Sequence, residues 1–180
     1  MIEFSALSSG SSGNCFWVRN SETNNAVLID SGISLKKATE RLLSINRNIR
    51  KVRAIFITHE HSDHIAGADV MSRHLNIPIF ATKKTFETGN FCNEEYQNVI
   101  KREEKTKIGG MVIEAFKKNH GAADPVSYNV TKENDNKKVS IITDVGSTCE
   151  NINNNINESD ILCLESNHDL QLLRSGRYPQ

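Results

Sequence analysis

Residues 59–64, His59-Glu60-His61-Ser62-Asp63-His64, hold three of the chain's six histidines and two carboxylates. In extended chain, residues i and i+2 point the same way, so His59 and His61 can grip one metal ion together. Asp63 and His64 follow as the chain turns into a helix and point elsewhere, which suits a second metal nearby. Neutral imidazoles with carboxylates favour zinc, with manganese or iron where carboxylates predominate. Two such ions about 3.5–4 Å apart can hold a bridging hydroxide and clamp an in-line displacement. A histidine-rich loop also occurs as plain solvated surface. This one directly follows the apolar run Val52–Thr58, and sites in α/β proteins form at the C-terminal ends of strands.

The elements that must position this segment are short apolar runs alternating with helical patterns. Strands are predicted at Ile2–Leu7, Cys15–Val18, Ala26–Ile29, Val52–Thr58, Ile77–Thr82, Met111–Phe116, Ser127–Val130, Val139–Thr143 and Ile161–Glu165. A helix is predicted over Ser34–Asn46, with Ser34 as N-cap and Leu35, Ala38, Leu42 and Leu43 on one face. A second runs over Ile65–Leu75. Phe86–Asn98 reads as irregular or weakly helical, Lys101–Lys107 as a solvated charge run, and Asn151–Asn157 as loop or helix start. Strands interleaved with helices give an α/β domain, with no repeat or dividing linker.

The chain has 180 residues, with 22 Lys+Arg against 22 Asp+Glu. Bulk charge therefore selects no partner, but Lys36, Lys37, Arg41, Arg47, Arg50, Lys51 and Arg53 form a basic stretch against Glu40 alone. Such a strip can follow a nucleic-acid backbone or be an ordinary solvated face. Ser8–Asn14 supplies glycines and hydroxyls in a turn that can approach a phosphate or be a plain hairpin. No stretch approaches the ~18 apolar residues of a membrane span. Cys15, Cys92, Cys149 and Cys163 form no C-x-x-C pair, Cys163 reads as a buried small hydrophobe, and His74 reads as an ordinary helix residue. Reduced thiols and the lack of a signal-like N-terminus point to a cytoplasmic protein.

The H-x-H-x-D-H segment resembles the signature of the metallo-β-lactamase superfamily. Asp30 at a strand end, the isolated His120 and Asp144 of Ile142-Thr143-Asp144-Val145-Gly146 follow in the matching order. Leu7–Asn14, Thr58–His64, Pro125-Val126-Ser127-Tyr128 and Leu164-Glu165-Ser166-Asn167-His168-Asp169 resemble, more closely, the YycJ/WalJ (VicX) family of nuclease or phosphodiesterase type. The resemblance runs over essentially the whole chain. It implies an αβ/βα sandwich, two mixed β-sheets flanked by helices, with residues 1–180 as a single domain lacking its C-terminal elements. No histidine follows His168, whereas the superfamily supplies another metal ligand near its C-terminus, so the chain is expected to be a piece of a longer protein, with His168 substituting or the second site incomplete as alternatives.

By resemblance, His59, His61 and His120 hold one metal, Asp63 and His64 the other, and Asp144 bridges both. Asp30 fixes the metal loop rather than binding metal. Aspartate at position 144, where β-lactam hydrolases of the superfamily usually carry cysteine, points away from a β-lactamase. The implied activity is metal-dependent phosphodiester hydrolysis, with a nucleic acid, DNA over RNA, as substrate and two divalent ions, zinc foremost, as cofactors. Asp63 would orient the nucleophile and His168 would give a proton to the leaving oxygen. Ser9, Ser11, Asn14 and Asn167 are candidate substrate contacts. The alternatives are a thioesterase of the glyoxalase II type and a non-catalytic piece with an incomplete site.

Overall fold

A computed structural model describes residues 1–147, 149–157 and 159–165 of the chain. Its first sheet has the order β1 (Ile2–Ser8), β2 (Cys15–Asn20), β3 (Asn25–Ile29), β4 (Val52–Phe56), β5 (Ile79–Ala81) and β6 (Gln97–Val99). The first three strands are antiparallel neighbours; β3 to β6 run parallel. The second sheet has the order β11 (Ile161–Leu164), β10 (Lys138–Ile142), β9 (Val126–Lys132), β8 (Met111–Lys117) and β7 (Lys105–Ile108). It is antiparallel except for the β10–β11 pair. Both sheets are therefore mixed.

Alternation along the strands builds the layers. In β2, Phe16 and Val18 face inward, while Cys15 and Trp17 face the opposite side. Phe16, Val18, Val27, Ile29 and Phe56 meet Met111, Ile113, Val126, Tyr128 and Ile141 in the core between the two sheets. Cys15, Trp17, Leu28, Ile55 and Ile57 pack instead beneath helices α1 (Leu35–Ser44) and α3 (Ala68–Leu75) through Ala38, Leu42 and Met71. Strands buried on both faces read as continuous apolar runs, which is why these were visible in the sequence. On the far side, α5 (Glu150–Ile156) places Ile152 against Phe116 and Ile142.

Several local expectations are corrected. Leu43 is 62 % exposed: Leu35, Ala38 and Leu42 complete the inward stripe, and Leu43 lies about 100° of helical rotation from Leu42. The helix expected over Ile65–Leu75 is broken into a single turn, α2 (Ser62–Ile65), and α3, with Gly67 between them. A Cβ at Gly67 would lie 2.0 Å from the Ile33 carbonyl oxygen, so that crossing needs glycine. Overlapping the stretch read as irregular or weakly helical, α4 (Lys83–Thr88) forms under a Thr82 cap, and β6 closes the sheet edge. Part of the charge run becomes β7, because Gly109 (φ +61°) and Gly110 (φ +80°) make the two-residue turn that pairs Ile108 with Met111. The asparagine-rich segment is helical, its Asn155 bonded to Asn129 of β9 and its Asn151 to the Lys117 carbonyl. Cys163 is half-buried rather than buried.

Candidate metal centre

Three loops, all at C-terminal ends of strands, converge on one place. The loop after β4 carries His59, His61, Asp63 and His64. The loop after β8 carries His120, and the one after β10 carries Asp144. The second loop reaches the first through Val126 N–H to the Thr58 carbonyl (2.9 Å), Ala123 N–H to Glu60 Oε1 (2.7 Å) and the buried Tyr128 hydroxyl to the Ile57 carbonyl (2.8 Å). Those bonds explain how His120, isolated in sequence, meets the histidine cluster.

Asp30 organises the centre. It sits at φ +60°, outside the ordinary range for a side-chain-bearing residue, and is fully buried. Its Oδ1 accepts from Thr58 N–H (2.8 Å) and its Oδ2 from the Thr58 hydroxyl (2.9 Å). Since that hydroxyl gives its proton to Asp30, it can only accept from His59 Nδ1–H, 2.9 Å away. His59 Nε2 is thereby left with its lone pair toward the site. Asp30 Oδ2 likewise takes His64 Nδ1–H at 2.7 Å, turning His64 Nε2 inward. These tautomers follow from the bonding network. A histidine whose second nitrogen is held by a carboxylate is the ordinary arrangement of a metal ligand.

The inward atoms form two groups sharing His59. In one, His59 Nε2 lies 3.0 Å from His61 Nδ1, which lies 3.3 Å from His120 Nε2. In the other, His64 Nε2 lies 2.9 Å and His59 Nε2 3.9 Å from Asp144 Oδ2. Asp63 Oδ2 is 3.4 Å from His64 Nε2, on the solvent side. Neutral imidazole lone pairs facing one another at such distances repel unless a cation or proton lies between. Asp144 Oδ2 is buried without an aligned hydrogen bond although His64 Nε2 is at ion-pair distance. Converging nitrogens and an orphaned carboxylate oxygen fit divalent metal ions, and the imidazole-rich donor set suits zinc.

Charge within the centre is strongly redistributed. Burial disfavours the His64 imidazolium, but Asp30 and Asp144 outweigh it and raise its pKa from 6.5 to about 10. Burial pushes the Asp144 carboxyl up, and the close approach and charge of His64 more than reverse that, holding it below its ordinary range. Burial, then the Lys118 charge, keeps His59 and His120 neutral.

Asn14, a candidate substrate contact, is buried: its amide nitrogen contacts Asp63 Oδ2 (3.2 Å) and His64 Nε2 (3.1 Å), and its Oδ1 takes Gly10 N–H (3.0 Å). Its backbone N–H bonds the Asp63 carbonyl, and Gly32 N–H bonds the Asn14 carbonyl. A Cβ at Gly32 would lie 1.6 Å from the Asp63 carbonyl oxygen, so the serine–glycine turn, the Asp30 loop and the metal loop interlock as backbone against backbone. Ser9 and Ser11 are exposed on the turn. Asn167 and His168 lie outside the described residues. Sequence reasoning missed Glu60, Lys118 and Glu165. Glu165 Oε2 accepts from Asp144 N–H at 2.5 Å, and Asp144 itself sits at φ +50°.

Known proteins resemble this chain in sequence and in fold. The chain is 38 % identical over 184 residues to the exodeoxyribonuclease YycJ of Bacillus anthracis, covering 99 % of this chain and 67 % of that protein. It is 36 % identical to the exodeoxyribonuclease WalJ of Streptococcus pneumoniae, covering 98 % and 66 %. The chain thus spans about two thirds of the length of these relatives. A metallo-beta-lactamase structure from Cronobacter sakazakii superposes with a TM-score of 0.62 at 13 % identity, over 77 % of this chain and 57 % of that one, a likeness of fold alone. The metallo-beta-lactamase superfamily model matches residues 9–129. On sequence and fold together, the chain belongs to the metallo-beta-lactamase superfamily.

Proposed function

We propose that residues 1–180 form one domain of a metal-dependent phosphodiester hydrolase, a nuclease acting on DNA in the cytoplasm. The observation that carries this reading is the pair of donor groups sharing His59, in a chain that resembles proteins named exodeoxyribonucleases along its length. His59, His61 and His120 would hold one divalent ion; Asp63, His64 and Asp144 would hold the other, with Asp144 facing His59 as well. When bound, such ions lower the pKa of water and neutralise charge on phosphoryl oxygens. Zinc suits the imidazole-rich set, with manganese or iron the other candidates.

The chain's own groups do the rest. Asp30 and Thr58 hold His59 and His64 in the ligating tautomers. Asp63, 29 % exposed at the solvent side of the pair, is placed to orient an attacking water. Asn14 keeps Asp63 and His64 in register. Ser9, Ser11 and Asn167 remain candidate phosphate contacts, and His168 the candidate proton donor to the leaving oxygen.

The test is end-labelled DNA incubated with the metal-loaded chain, alongside a thioester substrate. Metal-dependent release of nucleotides, lost with EDTA, restored by zinc or manganese and absent in Asp144→Asn, is the expected result. Turnover of the thioester with DNA untouched would overturn it. His168→Ala is expected to slow turnover sharply while leaving metal content unchanged; a wild-type rate would remove that role.

A further inference from the structure

Lys118 is a buried charged side chain to which the chemistry above gives no part beyond its charge. It lies just past β8, two residues before His120, and is 1 % exposed. An ammonium has three donors and is almost never fully buried without compensation. Among the described residues, its Nζ donates one hydrogen bond, to the Thr143 carbonyl, at 2.7 Å. Thr143 immediately precedes Asp144. The bond therefore ties the backbone before one candidate ligand to the side chain just before another. The next residues continue the clasp: Gly146 N–H donates to the Asn119 carbonyl (2.8 Å), and Asn119 Nδ2 donates to Ser147 Oγ (3.1 Å). Asn119 and Ser147 also form an isolated antiparallel bridge.

The clasp joins loops with no other covalent or ladder reason to keep a fixed spacing here. β8 and β10 are not neighbours; β9 lies between them. Past the strand ends, the His120 loop is tied to the metal loop and Asp144 N–H to Glu165, and the clasp is what ties the His120 and Asp144 loops to each other. Each belongs to a different donor group, joined through His59.

We propose that Lys118 is a positioning residue: its buried ammonium locks the His120 loop to the Asp144 loop and so sets the spacing of the two metal groups. The proposal rests on the metal-centre reading above. The ammonium also carries positive charge into the centre: burial lowers its pKa, and the charges of Asp30, Asp144 and Glu165 act against that. A neutral residue of the same length keeps the packing and loses the lock.

The test is cobalt(II) binding to the full chain, read as stoichiometry, affinity and the visible d–d spectrum, for wild type, Lys118→Met and Lys118→Arg. Loss of a group that orients ligands typically lowers metal affinity by about 10–100-fold. Lys118→Met should show that loss in one of two sites and a changed spectrum, and Lys118→Arg should restore both. Two ions held by Lys118→Met with wild-type affinity and spectrum would overturn the proposal, as would equal loss in both variants. Should Lys118→Met fail to fold, Lys118→Gln decides, because its neutral polar head is one bond shorter and gives up the ammonium bond to the Thr143 carbonyl. Weakened cobalt binding in one site there supports the lock, and wild-type affinity and spectrum overturn it. A wild-type chain that binds no cobalt would instead overturn the metal-centre reading itself.

Discussion

Asp30 shows how one buried carboxylate determines the chemistry of its neighbours. By accepting from Thr58 and His64, it decides which nitrogen of His59 and His64 faces the site. Asp30→Asn removes an acceptor and is expected to cost about 10–100-fold in metal affinity while the strands remain paired, checked by zinc titration and circular dichroism. The charge on His64 gives a second prediction. In metal-free protein its pKa is raised from 6.5 to about 10. The stability this provides is fully present below pH 6.5 and is lost as pH rises through 10. The melting temperature of chelated protein should therefore fall across that window, and the slope should flatten in His64→Gln. Metal loading reverses the requirement, because the ligating nitrogen must be unprotonated. Zinc binding at pH 7 should release a proton, visible as a buffer-dependent enthalpy in titration calorimetry. At this scale the sequence showed the histidines and aspartates because ligand spacing is local. It did not show the roles of Lys118 or Glu165, since a lysine just after one strand and a glutamate at the end of another carry no sign of the loops they hold until those loops are seen together.

Among the elements, those buried on both faces were legible and those at the edges were not. β2, β3 and β4 are continuous apolar runs between two layers, so composition alone marks them. β6 and β7 are edge strands with half-polar sequences, and they exist because of pairing rather than burial. The Gly109-Gly110 pair was the available signal for β7: both residues take the positive φ that a tight hairpin demands. The serine–glycine turn was visible but its role was not, because close backbone approach leaves no side-chain pattern. Gly32→Ala tests that role. Its Cβ would overlap the Asp63 carbonyl oxygen, 1.6 Å away, so the loops must separate. We expect at least about 1–3 kcal/mol of lost stability, seen as a lower denaturant midpoint, with weaker metal binding. A variant as stable as wild type would show that the loops can part without cost.

For the molecule as a whole, the fold divides what looked like one basic strip. α1 follows the Asp30 loop, so Lys36 and Lys37 adjoin the C-terminal end of β3, whereas Arg50 and Lys51 adjoin the N-terminal end of β4. Arg41 is bonded to the Leu7 carbonyl, Arg47 to Glu3 and Arg53 to Asn25. If DNA approaches the metal centre, Lys36→Ala with Lys37→Ala should weaken binding and reduce the slope of log affinity against log salt by roughly 0.9 per lost phosphate contact. Arg50→Ala with Lys51→Ala should leave both unchanged. Equal effects from the two pairs would contradict this placement. No helix among the described residues is long and apolar enough to cross a membrane. Counting zinc per chain after exhaustive dialysis checks whether the two groups of donors sharing His59 each hold a divalent ion. Two ions in wild type, with one lost in Asp144→Asn, is the predicted result. One ion or none in wild type would contradict it.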